Sequence, residues 1–351
     1  MILVLSLVLV AFSGCSSSKA TESQSATTET TATETPAAAT EAQPAAEPTV
    51  VKFGNAGAIG EPAPEACQNF VDLANAALEG QFIFEFYPAE QLGNESTMME
   101  NLQVDLQQGM MCSLDSLASY ASDINVLSMA FAFESSEHML NYLHSDVANG
   151  IWTKLEDNGF HMVNFEFQKN PRIFFGKKPL YSPADMVGMK YRIPNLPIFE
   201  KNALAMGATP TVVSWSEYPF ALMQGVVDGG ECSKDSYRSA GLYESAKYVS
   251  EVNYAYPVEC IIFSKTFWDG LTAEQQAIID DCATQAAAAY NDTIKQKWEA
   301  DKEFLINEGG VTFVDFDKQA FLDAAAPLAA ELEAEGFFDT EDLYNKIQAF
   351  K

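Results

Sequence analysis

The sequence predicts an α/β fold with sheets covered on both faces, divided into two bodies that one very long helix bridges. Three observations carry this expectation. From Val50 onward, short β-branched and aromatic runs alternate with helix-like segments. A single helical pattern runs from Thr272 to the pair Gly309–Gly310, longer than one globular layer needs. With 351 residues, 48% of them hydrophobic, the chain can bury a large core and could hold two domains. No stretch repeats with a period of about 20–50 residues, so no repeat architecture is read.

The elements follow in order. "VVKFGNA" opens as a strand, "PEACQNFVDLANAALEG" is a helix that stops at Gly80, and "QFIFEFYP" is the next strand. "NESTMMENLQVDLQQG" reads as a helix capped by Asn94 and closed by Gly109. "MMCSL" is a buried strand, a helical region spans 134–157, and "HMVNFEFQ" and "RIFFG" are strands. "MKYRI" is a strand leading to a helix over 197–206, then come the strand "TPTVV" and a helix over 216–225. "VVDGGE" ends in another helix, and "VECIIFSK" is a strong central strand. The long helix opens with a Thr272…Gln275 capping box and carries Ile278, Cys282, Ala286 and Tyr290 on one stripe. Shorter elements return over 311–350.

A formal charge of −29 and a pI near 4.2 argue against nucleic acid and against anionic lipid as partners, since both require a basic footprint. The first fourteen residues, "MILVLSLVLVAFSG", are an apolar run too short to span a bilayer and read as an export signal. "AFSGC" resembles a bacterial lipobox, in which the cysteine after the cut carries lipid, with Phe12 where leucine is usual; Cys15 is the expected lipid anchor. Residues 15–49 are rich in Ser, Thr, Ala, Glu and Pro with no aromatic, a composition expected to form a disordered tether. An extracytoplasmic protein, held at the outer face of the cell membrane or in the periplasm, follows. The five cysteines beyond Cys15 are odd in number and irregularly spaced, so buried thiols are expected rather than a disulfide framework.

Of the 20 basic side chains only three are arginine: Arg172, Arg192 and Arg238. Arginine presents paired donors that match the two oxygens of a carboxylate, which lysine cannot do. Arg192 precedes Ile193-Pro194-Asn195, and Pro194 holds the residue before it extended, so a strand ends there. In open α/β sheets ligands sit beyond the carboxyl ends of strands, which puts Arg192 at a cleft mouth. The residues alone leave two roles open: a ligand carboxylate, or a core Asp or Glu.

"YPAEQLG", "MVGMKYRIPN", "GATPTVVSWSEYPFALMQGVVDGGE" and "FSKTFWDGLTAEQQ" together resemble the solute-binding proteins of tripartite ATP-independent periplasmic (TRAP) transporters, in the dicarboxylate-receptor branch, over about residues 50–350. The resemblance implies a two-lobed periplasmic-binding-protein-like fold with an interlobe cleft and a long bridging helix. It assigns 50–169 plus 258–297 to lobe I and 170–257 plus 298–351 to lobe II. It further implies that Arg192 clamps a ligand carboxylate, that Arg172 is a second ligand arginine, and that Asn55 matches a first-strand asparagine of the site. The family loop "VDGQEN" appears here as "VDGGEC", which brings Glu231 and Cys232 to the cleft and puts a poor donor where the family offers an amide.

Other candidates come from position. Trp215 and Tyr218, in "VSWSEYPF", start a helix after a strand, and Trp215 either stacks on a ligand or lids the core. Phe174 and Phe167 either wall the cleft or fill the core. Ser113 and Asp115 end the "MMCSL" strand, where Asp115 meets a ligand hydroxyl or amine or caps a helix. Arg238 reads as a solvated helix residue, and His138, His144 and His161 lack metal-ligand spacing. No metal, no cofactor and no catalytic nucleophile is read from the sequence.

The expected function is capture of a small organic anion outside the cell and its delivery to an ion-gradient-driven TRAP permease. Competing expectations are a receptor for an ATP-driven importer, a ligand sensor, or an extracellular enzyme on carboxylates. The missing amide at Cys232, together with Trp215, points to an aromatic or branched monocarboxylate rather than a sugar acid.

Overall fold

The computed structural model describes residues 47–351; the expected signal segment, Cys15 and nearly all of the tether lie outside the described residues. The strands are β1 (Thr49–Gly54), β2 (Phe82–Tyr87), β3 (Gly109–Ser113), β4 (Phe160–Gln168), β5 (Arg172–Gly176), β6 (Lys190–Ile193), β7 (Thr209–Val212), β8 (Gly229–Ser233), β9 (Tyr248–Ser250), β10 (Val258–Ser264) and β11 (Thr312–Phe313). They form two sheets, one ordered β2-β1-β3-β10-β4 and the other β11-β9-β5-β8-β6-β7. Each sheet is the centre of one lobe, I and II in that order.

The chain crosses between the lobes three times. It leaves lobe I through Lys169–Pro171 between β4 and β5 and returns through 251–257 between β9 and β10. These two crossings run side by side: the Lys169 amide donates to the Pro257 carbonyl at 3.1 Å, and the Arg172 amide to that of Ala255 at 2.9 Å. The third crossing is the helix Ala273–Asn307, 35 residues long. Both bonds of its capping box form, Gln275 N to Thr272 Oγ1 at 3.2 Å and Thr272 N to Gln275 Oε1 at 2.8 Å. Its first half buries Ile279, Cys282, Ala286 and Tyr290 against lobe I, next to Phe53, Phe70 and Phe263; Ile278 stays half-buried. Its second half buries Trp298 and Leu305 with Ile173, Phe175 and Tyr237 of lobe II.

The opposite faces of both sheets share one further core. The C-terminal helices Lys318–Ala325, Leu328–Ala334 and Leu343–Ile347 complete it from both sides. Their Leu332 and Phe321 pack in that core with Phe199 of the helix Pro197–Ala205. Thr340 Oγ1 donates to Asp123 Oδ2 at 2.7 Å on the lobe I side, and His138 Nε2 meets the Ile347 carbonyl at 2.8 Å. The C-terminal segment therefore touches both lobes rather than lobe II alone. Among the described residues, no helix is long and apolar enough to cross a membrane.

Two glycine expectations change. The helix capped by Asn94 spans Glu95–Gln103 and does not reach Gly109. Asp105 turns the chain at a φ of 56°, a region that aspartate tolerates. Gly109 instead begins β3, where a Cβ would stand 2.7 Å from Phe263 and 2.8 Å from Phe53. Likewise the glycines of "VVDGGE" belong to β8, and the next helix is Lys234–Ser239. A Cβ on Gly229 would lie 2.2 Å from the Phe175 carbonyl oxygen, so the close approach of β5 requires glycine there.

The five described cysteines are free and buried. Cys112 and Cys260 face each other across β3 and β10 with sulfurs 3.7 Å apart.

Candidate functional site

A cavity of about 660 Å³ lies between the lobes, a size that suits a small molecule. Its wall is built from strand ends. Lobe I supplies Asn55 after β1, Ser113 and Asp115 at the end of β3, and Glu259 at the start of β10. Lobe II supplies Arg192 on β6, Val213 and Trp215 after β7, and Cys232 on β8. Lys169 and Arg172 enter from the first crossing. Because β1, β3, β6, β7 and β8 point their carboxyl ends at this space, the topology places polar side chains there without interrupting either core.

Arg192 is 5% exposed. Its Nε donates to the Val213 carbonyl at 3.0 Å, and its guanidinium carbon lies 4.7 Å from the Tyr218 ring centroid and 5.6 Å from that of Trp215. Among the described residues no acid pairs with it, and its two terminal nitrogens carry no protein hydrogen bond. Burial lowers the guanidinium's pKa from its ordinary value. Gly230 makes room for this arrangement: a Cβ there would stand 2.2 Å from the Tyr218 hydroxyl and 3.0 Å from the Arg192 carbonyl oxygen.

Arg172 has a different setting. Its Nη2 lies 2.9 Å from Asp115 Oδ2 of lobe I, and its Nη1 lies 2.7 Å from Glu231 Oε2 of lobe II. Burial pulls its pKa down, but Glu231 and Asp115 more than offset this and raise it. Lys169 pairs with Glu259 at 2.6 Å, and Glu259 and Asp235 raise its pKa against the opposing effect of burial. The lobe rims also touch: Trp215 Nε1 donates to Glu61 Oε2 at 3.1 Å, and Ser216 Oγ donates to Glu90 Oε2 at 2.5 Å. Burial raises the Glu61 carboxyl above its usual range.

Of the candidate residues, Arg192, Arg172, Cys232, Trp215, Asn55, Ser113 and Asp115 line the cavity, and three do not. Glu231 lies beneath Arg172 and accepts from Tyr254 as well, at 2.9 Å. Tyr218 is fully buried and supports the Arg192 guanidinium with its ring. Phe174 is a core residue, stacked on Tyr254 with centroids 4.8 Å apart, because its side of β5 faces the C-terminal helices. Phe167 likewise packs on Tyr290 of the long helix.

Several expected roles shift in detail. Asn55 holds its own loop, donating to the Met111 carbonyl at 2.9 Å and accepting from the Gly57 amide at 2.8 Å. Asp115 caps nothing and instead accepts from Arg172 and from Ser128 at 2.8 Å. Arg238 is not simply solvated: it pairs with buried Asp301 at 2.7 Å and lies over Phe304.

Sequence reasoning missed Lys169, Glu259, Glu95, Glu61, Glu90 and Asp235 in the wall. Glu259 had a signal, an acid inside the otherwise apolar "VECIIF". Lys169 stands three positions before Arg172 and carried a weaker one. Glu95 is a first-turn helix residue with nothing to mark it.

Comparison with known proteins gives the family and the fold. The chain is similar to a solute-binding protein of Roseobacter denitrificans, 28% identical over 260 residues that cover 74% of this chain and 79% of the relative. It is also similar to the C4-dicarboxylate-binding periplasmic protein DctP of Rhodobacter capsulatus, 26% identical over 291 residues, 82% of this chain and 87% of the relative. The fold superposes on a TRAP periplasmic solute-binding protein of Pseudomonas putida F1 solved with bound D-glucuronate, with a TM-score of 0.77, 28% identity, and coverage of 86% and 97% of the two chains. The family model for bacterial extracellular solute-binding protein, family 7, matches residues 53–335, and the chain belongs to that family, DctP.

Proposed function

We propose that this protein captures a small organic carboxylate between its lobes and delivers it to the membrane subunits of a TRAP permease. Arg192 carries the reading: a buried guanidinium with two free nitrogens, no acidic partner among the described residues, and an adjoining cavity. A carboxylate would accept both free nitrogens side by side, and such charge-assisted pairs are the strong hydrogen bonds. The ring faces of Tyr218 and Trp215 keep water from the opposite side of the guanidinium. The ligand is bound and released without chemical change, because the task is recognition followed by opening of the lobes.

We extend the reading to the N-terminus and the domain division. Residues 1–14 direct export, lipid on Cys15 anchors the chain at the outer face of the membrane, and residues 15–49 tether the folded body. Residues 50–169 with 258–297 move as one lobe and 170–257 with the second half of the long helix as the other, while the C-terminal segment, expected with lobe II as part of 298–351, contacts both.

The test is a thermal-shift panel of organic acids, with D-glucuronate, L-galactonate, succinate and 5-aminopentanoate among them, since a ligand of the folded state raises its melting temperature by mass action. At least one carboxylate should raise the midpoint in proportion to the logarithm of its concentration. A panel in which neutral sugars stabilise and no carboxylate does would overturn the proposal.

A further inference from the structure

We infer that the ligand is a zwitterion, an amino-carboxylate whose carboxylate lies on Arg192 and whose ammonium lies among Glu95, Asp115 and Glu259 on the opposite wall. The inference rests on the carboxylate-receptor reading above and narrows it to a chemical class.

The cavity wall holds six acids, Glu61, Glu90, Glu95, Asp115, Asp235 and Glu259, against three bases, Lys169, Arg172 and Arg192. Three of the acids are occupied elsewhere. Glu61 and Glu90 bond the opposite rim, and Asp235 accepts from the Asn170 amide and from Ser233 and Ser236. The other three converge. Glu259 and Ser113 are register partners across β10 and β3, Asp115 follows two residues later, and Glu95 accepts from the Ser113 amide at 3.3 Å and from Ser116 Oγ at 2.5 Å.

Two of these carboxylates keep a free oxygen. Glu259 is 5% exposed and Asp115 is 6% exposed. Glu259 gives Oε1 to Lys169, and Asp115 gives Oδ2 to Arg172 and Ser128. Glu259 Oε2 and Asp115 Oδ1 have no partner among the described residues, yet neither is sealed from solvent. Since both side chains line the cavity, those oxygens open onto it.

A dianionic ligand fits this wall poorly. The bases near the three acids are Lys169 and Arg172, already paired, so a second ligand carboxylate would meet like charge. A hydroxyl could donate to the free oxygens but would leave the excess negative charge in place. An ammonium supplies both donors and charge. The strain on the present arrangement shows at Glu95, whose carboxyl is pushed up to about 7 by burial and then by Glu259, with Asp115 adding to it and the Ser116 hydroxyl opposing it.

The test is calorimetric titration of the exported chain with three matched series of four to six carbons: amino acids built as 5-aminopentanoate is, the corresponding hydroxy acids, and the dicarboxylates, with D-gluconate alongside. At pH 8 the best amino acid should bind at least tenfold more tightly than its hydroxy counterpart, and the dicarboxylate of equal length should bind more weakly than either. Glu95 must lose its proton to accept the ammonium, so the amino acid's affinity should rise by up to about tenfold from pH 6 to pH 8, with proton release near pH 7. The groups facing Glu95 are Glu259 and Asp115, with Lys169 and Arg172 beyond them.

Glu95→Gln keeps an acceptor for Ser116 and should remove both the pH dependence and most of the amino acid's advantage over its hydroxy counterpart. If that variant does not fold, the pH dependence and proton release of the native protein decide the matter. A hydroxy acid, gluconate or dicarboxylate binding as tightly as every amino acid, and losing affinity in Arg192→Gln, would overturn the zwitterion while leaving the carboxylate receptor standing. Binding by no acid of any series would overturn both.

Discussion

Arg172 and Arg192 are the same residue type, twenty positions apart, and both line one cavity, yet their surroundings are opposed. Arg172 sits at the crossing between the lobes and ties Asp115 of one to Glu231 of the other. Arg192 belongs to lobe II alone and rests on a backbone carbonyl and two aromatic faces. The neighbours raise the first guanidinium's pKa against the effect of burial, whereas burial lowers that of the second. The difference teaches that an arginine's presence at a cleft does not define a grip. What defines it is the number of donors that the protein leaves unclaimed.

The comparison can be broken by substitution, beginning with the largest effect. Arg172→Ala strands two buried carboxylates, and breaking a buried pair in this way costs about 3–5 kcal/mol, read as a fall in the urea midpoint of the ligand-free protein. Arg192→Gln removes one backbone hydrogen bond and no ion pair, so the same midpoint should move by about 1 kcal/mol or less. Equal losses would mean that both arginines are structural.

Gly230→Ala tests what holds Arg192 in place. The added carbon would press on the Tyr218 hydroxyl and on the Arg192 carbonyl oxygen, and overpacking of this kind costs about 1–3 kcal/mol. Ligand affinity should fall with stability in this variant, in contrast to Arg192→Gln, where the loss of affinity exceeds the small loss of stability. A smaller effect than that of Gly230→Ala belongs to Trp215→Phe. It keeps an aromatic face over Arg192 but loses the bond to Glu61 across the rim, worth about 0.5–1.5 kcal/mol of the closed form. Slower ligand release in the variant than in the native protein would contradict that role.

The fold was legible where periodicity and capping chemistry carry it. The long helix announced itself by the Thr272–Gln275 box, which forms as read, and by a stripe of which Cys282, Ala286 and Tyr290 are buried and Ile278 only half-buried. Gly109 misled because sequence cannot separate a glycine that ends a helix from one that lets strands pack closely, and "VVDGGE" misled because its two glycines belong to a strand that must approach β5; only the packed Phe263 and the Phe175 carbonyl oxygen decide.

In the site, Arg192 was marked by the scarcity of arginine and by the proline that ends its strand. Arg172 looked equivalent because the residues that neutralise it stand 57 and 59 positions away in the chain. Phe174 faces the core for a similar reason: alternation along β5 fixes two faces, but which one meets the C-terminal helices is a tertiary fact. Glu95 was invisible, since its position in a helix's first turn explains an acid fully without a cavity. The polar wall it helps build also answers the expectation of an aromatic or branched ligand, which took account of Cys232 and Trp215 but not of the acids opposite.

The central claim is that Arg192 is held free to take a ligand's carboxylate. Its most direct test is calorimetric titration of the tightest-binding acid of the panel into Arg192→Gln and into the native protein at one pH. At least a tenfold loss of affinity is expected, with the ligand-free stability changed by about 1 kcal/mol or less. Equal affinity in the two proteins would contradict it.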